Sequence, residues 1–448
     1  MNITDVVAAS KETGYEWFEQ FLESLLSKEE GEKVRPVEKA CVQIVECLVQ
    51  NIMRLEEIPG QTNRLVACLA TLHLFTKIRP QLMVKHAMLI QPYLSIRGHG
   101  ASDAYILHYV ARILEVTVPL LEHPSETFLA QLEEDMVRLT LRQGKIVLES
   151  CVACLGSVVN QVSKNYSLTR DCFSRFFNAL VRFKDDLMAE PEKPISPQIR
   201  PSILRALFTV GLLCKHFDPN VFQRGTQPKI LDQVFETLMF FSEQLKTDLE
   251  MRKKALAGLG FLCTRHHELL CGLRLCNFYH QLLQAPHPPP PAPGSAANSS
   301  SRPQSDGSVE LKNLVLENLL HFFLEEERRM LEADAKWKAC HKEESLKIMG
   351  DVASGIGSHV AQAYLKDIME SFFSPSPSVR LTSLSVITTI LRQGLIHPVQ
   401  TVPYLIATQT DNDPNVRFKA ETQLQEIDNK FPGFISVSCL SGHSSEVA

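Results

Sequence analysis

Ser376-Pro377-Ser378-Val379-Arg380-Leu381-Thr382-Ser383-Leu384 is answered further on by Asp413-Pro414-Asn415-Val416-Arg417-Phe418-Lys419-Ala420, and this pair of phrases decides the fold. Each sets a turn-forming Pro ahead of an aliphatic-Arg step and then runs into apolar residues at helical spacing. Val379 and Val416 lie 37 residues apart. A helical repeat of a few tens of residues, each unit burying its apolar face only against its neighbours, is the signature of an α-solenoid. Such an array offers long surfaces rather than a closed pocket, so the expected function is binding rather than catalysis.

Working outward, nearly every stretch between breakers has helical rather than alternating periodicity. Cys41, Ile44, Val45, Leu48, Val49, Ile52 and Met53 step by three and one, as do Leu65, Cys68, Leu69 and Leu72, and again Cys151, Cys154, Leu155 and Val158. Pro59-Gly60, Arg79-Pro80, Gly98 to Gly100, His123-Pro124, Gln143-Gly144, Glu190-Pro191, Asp218-Pro219 and Gly394 to Pro398 punctuate these runs. The pattern predicts about eighteen helices in antiparallel pairs. Looser copies of the repeat phrase open at Lys145-Ile146, Ile199-Arg200 and Met251-Arg252, spaced 53 and 52 residues apart. Variable spacing fits HEAT-type hairpins better than fixed-length repeats. The Arg of the phrase, at positions 252, 380 and 417, is expected to bridge to an acidic or carbonyl group of the adjacent repeat. The fold class is therefore all-α, an α-solenoid of HEAT-type helical hairpins.

Four regions are expected: a repeat array over 1–284, a Pro/Ser-rich disordered linker over 285–308, further repeats over 309–435, and a polar tail over 436–448. The linker follows from Ala285-Pro286-His287-Pro288-Pro289-Pro290-Pro291-Ala292-Pro293-Gly294, whose composition cannot bury a core. Beyond it, a charged stretch from Glu325 to Glu344 reads as a long exposed helix with opposite charges at i,i+4. The 448 residues are 44% hydrophobic and 22% charged, with net charge −5, which excludes a generally basic nucleic-acid sponge. Any DNA contact would rest on local patches. Of twelve Cys, residues 41, 47, 68, 151, 154, 214 and 263 sit in apolar helical runs as small hydrophobes. No secretory signal is visible at the start, and no uninterrupted apolar run of membrane-spanning length occurs, so a reducing compartment is expected.

Signatures of chemistry are scarce. No phosphate loop, nucleophile elbow or zinc-protease helix occurs in the sequence. Cys263, His266, His267, Cys271 and Cys276 come nearest to a metal cluster, but lack the two tight ligand pairs that zinc favours. Neither a cofactor nor a metal is expected, and Cys151-x-x-Cys154 reads as buried thiols. Basic residues gather at helix ends: Lys77, Arg79, Lys85 and Arg97 around one corner, Arg252, Lys253 and Lys254 at a helix start, and Arg265 at its close. These are the candidate contacts to DNA or a partner, since tracking a phosphate backbone needs charge without base-specific geometry. Solvated helix termini account for each cluster as simply. Ser196-Pro197, Ser374-Pro375 and Ser376-Pro377 are turn formers that a proline-directed kinase could also read.

Longer phrases carry a resemblance. Thr264-Arg265-His266-His267-Glu268-Leu269, Met349-Gly350-Asp351-Val352, and Gln393-Gly394-Leu395-Ile396-His397-Pro398-Val399-Gln400 running into Val402-Pro403-Tyr404-Leu405-Ile406-Ala407 resemble the C-terminal HEAT-repeat region of the Nipped-B-like cohesin-loading proteins. The opening Met1-Asn2-Ile3-Thr4-Asp5-Val6-Val7 looks like an interior phrase of the same family, and the resemblance runs over about residues 1–435. It implies a non-enzymatic scaffold that binds cohesin subunits and DNA, promotes cohesin loading on chromatin in the nucleus, and stimulates a partner's ATPase without hydrolysing ATP itself. Other chromatin proteins are further implied partners; a membrane or a small-molecule substrate is not. Members of the family are far longer, so a fragment or an atypical product is expected. The alternative is a different solenoid adaptor, serving transport, a vesicle coat or a phosphatase, that binds proteins alone.

Overall fold

The computed structural model describes position 4 and residues 17–26, 34–56, 60–95, 100–190, 195–223, 229–244, 248–285, 306–340 and 350–432. Seventeen α-helices and no strand occur among the described residues. The fold is all-α, an α-solenoid of HEAT-type hairpins. Two compact units are distinguished: residues 1–178 with 216–230, and residues 179–215 with 231–448. The expected linker 285–308 falls within the second unit's span and outside the described residues, except Ala285 and the first residues of a helix starting at Asp306. The tail 436–448 also lies outside them.

In the first unit, α1 (Trp17–Leu26), α2 (Val34–Glu56) and α3 (Thr62–Ile78) lead into short helical turns over Pro80–Ser95, among them the unlabelled four-residue α-helix Ala87–Ile90, the seventeenth. Then come α4 (Ala101–Thr117), α5 (Glu126–Arg142) and α6 (Lys145–Val158). Hairpins form between α2 and α3 and between α5 and α6, while α3 packs on α4 and α4 on α6, skipping the element between. That skip is the solenoid: one layer of helices stacks in series and a second covers it. Leu69, Leu72, Leu107, Val110, Leu114, Leu132, Met136 and Val152 are fully or almost fully buried there. Each such side chain contributes about 1.5–3 kcal/mol by leaving water. Lys145–Ser163 is apolar and long enough to cross a membrane by composition, yet 61% of that window is buried inside the protein as a core helix.

The chain enters the second unit within α7 (Ser167–Ala189) and continues through α8 (Arg200–His216), α9 (Ile230–Glu243), α10 (Leu249–Arg265) and α11 (Leu273–Leu283). It closes with α12 (Asp306–Cys340), α13 (Gly350–Glu370), α14 (Pro377–Arg392), α15 (Val402–Thr408) and α16 (Pro414–Lys430). Here α10, α12, α14 and α16 stack in series, with α11, α13 and α15 as their covering partners. Between α8 and α10 the backbones nearly touch. A methyl group added at Gly211 would lie 2.4 Å from both the Cα and the carbonyl oxygen of Gly258. Asn318 of α12 sits over Gly260 in the same close manner, donating to the Leu256 carbonyl (2.9 Å) and the Tyr279 hydroxyl (3.1 Å).

The repeat phrase has a common anatomy. Asp248, Ser376 and Asp413 are the N-caps of α10, α14 and α16, and the third helical residue, Met251, Val379 or Val416, is fully buried. The fourth is the Arg. Arg380 grips Asp411 of the next repeat with two bonds (2.6 and 2.8 Å) and donates back to the Ser374 and Pro375 carbonyls (2.8 and 3.0 Å). Arg417 donates to the Asp411 and Asn412 carbonyls, and Arg252 to the Ser242 carbonyl at the end of α9 (3.0 Å). Arg200 makes the same two-pronged pair with Asp248 (2.9 and 3.0 Å), from a turn in which Ser196 accepts from Ile199 and Arg200. Arg380, and Arg200 through Asp248, perform the expected bridging between repeats, whereas Arg252 and Arg417 tie down carbonyls within their own hairpins.

Some burial expectations fail for one reason: a helix on a single-layer stack has a free side. Cys47 and Met53 of α2 are exposed and Ile44 is half-buried, leaving Cys41, Val45, Leu48, Val49 and Ile52 as the core stripe. Ile146 and Ile199 are also exposed; in α6 the buried aliphatic is Val147, in register with Met251, Val379 and Val416. The charged stretch belongs to α12, where Arg328 pairs with Glu325 and Glu332, and Arg329 with Glu325 and Glu326. Its residues 341–344 lie outside the described set.

Candidate protein and nucleic-acid interaction surface

Seven of the eight candidate cations are described, and most are engaged within the protein. In the first unit, Lys77 ends α3, half exposed, and pairs with Glu19 of α1 at 2.5 Å. Arg79 donates to the Leu26 carbonyl (2.7 Å), closing the C-terminus of α1, where a cation also suits the helix dipole. Lys85 is exposed in the turn that follows, and Arg97 lies outside the described residues.

In the second unit, Arg252 is held at the Ser242 carbonyl, and burial lowers its proton affinity. Lys253 bridges Glu250 and Glu310, both at 2.6 Å. Desolvation alone would lower its pKa, but the two carboxylates outweigh it and raise it. Lys254 lies over the Phe208 ring, 5.2 Å from its centroid. Arg265 is half-buried at the end of α10. Thus Arg252, Lys253 and Lys254 share a helix start but point to three different partners.

A signal the sequence reading missed lies beside Lys254. Phe208 of α8 meets Phe261 of α10 edge-on at 5.1 Å, and Lys215 lies over the Phe261 ring at 5.9 Å. Lys184 of α7 sits likewise over Phe240 of α9 at 5.4 Å. The ring quadrupole attracts the ammonium while its stem covers apolar surface. Lys and Phe recurring across neighbouring helices was a readable pattern, but their pairing crosses 40 or more residues of sequence.

Other candidate chemistry resolves differently. Cys151, Cys154 and Cys263 are buried, and burial pushes each thiol well up; Cys214 is raised to about 12 by the same cause. His266 faces Glu268 at 3.3 Å. Among the described residues no three or more His, Cys, Asp or Glu are arranged to hold a metal ion.

Stacked helical hairpins, bridged in the second unit by the Arg200–Asp248 and Arg380–Asp411 pairs, define an α-solenoid of HEAT type. Residues 357–445 match the family model described as the sister chromatid cohesion C-terminus. Along 99% of its length the chain is 45% identical, over 451 residues, to the Nipped-B-like proteins of Mus musculus and Homo sapiens. A solved C-terminal fragment of the Chaetomium thermophilum cohesin loader SCC2 has the same fold, with TM-score 0.72 at 18% identity over 93% of this chain and 29% of that one. Over nearly its whole length the chain is thus similar to one part of the Nipped-B-like proteins. It spans 15% of the length of the mouse and human proteins.

Proposed function

We propose that this chain is a non-enzymatic scaffold of the cohesin-loading type, acting at chromatin in the nucleus by binding cohesin subunits and the DNA backbone. The observation that carries the reading is 45% identity, sustained over 99% of the chain, to proteins of the Nipped-B-like family. The architecture agrees with it. Serial stacking leaves helix ends and lateral faces exposed for a protein segment, and a partner's conformation is biased by holding one form more tightly than another. Lys77, Arg79, Lys85, Arg97, Arg252, Lys253, Lys254 and Arg265 are the proposed DNA or partner contacts. Arg252 and Lys253 serve the fold first, while the exposed Lys85 and the ring-supported Lys254 are better disposed toward a phosphate.

The test is binding of the purified chain to duplex DNA and to cohesin across a salt series. Backbone contact lowers log K linearly with log salt, by about 0.9 per phosphate neutralised. Lys85→Glu and Lys254→Glu should weaken binding equally on unrelated DNA sequences. Absence of binding to both DNA and cohesin at low salt, with helicity intact, refutes the proposal. Capture of protein partners without DNA or cohesin would instead favour the adaptor reading.

A further inference from the structure

Cys276, a residue that the sequence pattern groups with Cys263 and the His266-His267 pair, keeps different company in the fold. On α11 its Sγ lies 3.2 Å from Nε2 of His280, one helical turn on. The other imidazole nitrogen, Nδ1, is hydrogen-bonded to Oδ2 of Asp367 on α13. That carboxylate is 3% exposed, and its second oxygen accepts from Gln284 Nε2 at 2.9 Å. The Tyr364 ring leans on the imidazole at 5.2 Å, and its hydroxyl donates to the Leu270 carbonyl (2.9 Å) while lying within reach of the Cys276 thiol. Lys312 lies close enough to Asp367 and Glu370 for their charges to act on it.

The order carboxylate, imidazole, sulfur is chemically directional. A carboxylate on Nδ1 places the ring proton there, so Nε2 faces the sulfur as an acceptor. A second thiol, Cys271, lies close by in the chain. Gly272 caps α11, which makes Cys271 the residue before the cap and Cys276 the fourth residue of the helix. Side chains at those two places characteristically pack on each other across a helix start. Both thiols are half-buried, and burial, together with the nearby Cys276 and Glu268, raises the Cys271 thiol.

We propose that Cys276 is an activated nucleophilic thiol, with His280 as its base, Asp367 as the group positioning that base, and Cys271 as the resolving thiol for oxidation by small hydroperoxides. The Cys276 sulfur attacks one peroxide oxygen, the S–O bond forms as the O–O bond breaks, and the thiol proton passes to Nε2 of His280. The departing hydroxide recovers that proton and leaves as water, so the sulfur is oxidised by two electrons to the sulfenic acid while the peroxide is reduced. The Cys271 thiol then attacks the sulfenic sulfur, forming the disulfide and releasing a second water.

The full chain supplies its own standard in the exposed Cys47. Under limiting iodoacetamide at neutral pH, followed by peptide mass spectrometry, Cys276 should alkylate at least about tenfold faster than Cys47 despite its lesser exposure. His280→Gln should erase that advantage and return its pH–rate profile to that of Cys47. One equivalent of hydrogen peroxide should remove two hydrogens from the peptide carrying both thiols. In Cys271→Ser, the same treatment should leave a dimedone-reactive sulfenic acid at Cys276. A Cys276 rate at or below that of Cys47 overturns the proposal, and so does oxidation that falls on the other thiols first. The wild-type comparison needs no variant to fold.

Discussion

Replacing Gly211 by Ala is expected to destabilise the second unit, against the ordinary preference of helices for Ala over Gly. That preference is worth about 1 kcal/mol in a helix interior. Opposing it, the new methyl would stand 2.4 Å from the Gly258 Cα and from its carbonyl oxygen, both backbone atoms that no rotamer change can move aside. Carbon atoms rest at about 3.5–4.0 Å, so the helices must separate by roughly 1 Å, and such a gap forfeits a quarter to a half of each dispersion contact along α8 and α10. Overpacking of this kind costs about 1–3 kcal/mol, and backbone-on-backbone contact lies at the upper end. The net expectation is a loss of about 2 kcal/mol. Gly355 of α13 is the control, because an added methyl there meets nothing within 4 Å. Gly355→Ala is expected to gain about 0.5–1 kcal/mol. Urea denaturation followed by circular dichroism compares the two variants, and hydrogen exchange shows whether protection falls first in α8 and α10. A Gly211→Ala chain as stable as the wild type would refute the close-approach argument.

Three further outcomes can be measured. Asp411 and Arg380 are 7% and 12% exposed, so Asp411→Asn is expected to cost about 3 kcal/mol; a double-mutant cycle with Arg380→Met that finds no coupling would deny the bridge. Burial raises the Asp411 carboxyl, but hydrogen bonds from Arg380 and the Asp413 N–H more than reverse this, and Asp248 is likewise lowered through Arg200 despite its burial. Native values below the unfolded ~3.9 mean that their stabilisation is complete above that pH and lost as pH falls through the native values; the acid loss in urea midpoint should shrink in Asp411→Asn, and an unchanged loss would contradict this. Gly260→Ala would push a methyl to 2.0 Å from Asn318 Oδ1 and eject that side chain, at about 2 kcal/mol, and Asn318→Ala in the same chain should recover part of the loss by melting temperature.

The fold was readable because its defining phrase is local. A Pro at the first helical position, a capping Ser or Asp and a buried aliphatic three residues into the helix lie within six residues, so Ser376 to Leu384 announces a repeat unaided. Gln393-Gly394-Leu395 was equally informative for a physical reason: Gly394 adopts a φ of +69° at the end of α14, and Leu395 closes the turn by donating to the Ile390 carbonyl. Gln393 meanwhile ties α14 to the Phe323 carbonyl of α12. Less of the candidate surface was legible, since a cation's partner lies in another repeat. Lys253 gives no local hint of Glu310, nor Arg79 of Leu26. Periodicity also overstates burial where a helix has one open side, as at Met53 and Cys47. Cys276, His280 and Asp367 escaped notice because only the first two share a helix, and Asp367 arrives from 87 residues away.

One asymmetry separates the cations of the fold from those left for binding. A helix N-terminus carries partial positive charge, so an Arg in its first turn is electrostatically misplaced unless something negative answers it. Arg252, Arg380 and Arg417 all sit four residues into a helix, and each is answered from within by a carbonyl or carboxylate acceptor, as Arg200 is by Asp248. Their charge is consumed inside the stack, and a phosphate approaching Arg380 would have to displace the Asp411 carboxylate. Lys77 and Arg265 stand instead at helix C-termini, where the dipole itself favours a cation. Lys85, exposed in a turn, and Lys254, lying over the Phe208 ring, are further cations outside that Arg set. In the proposed DNA contact, cations in turns and at C-terminal helix ends, such as Lys85 and Arg265, are therefore better placed within their units than the Arg residues of the helix starts.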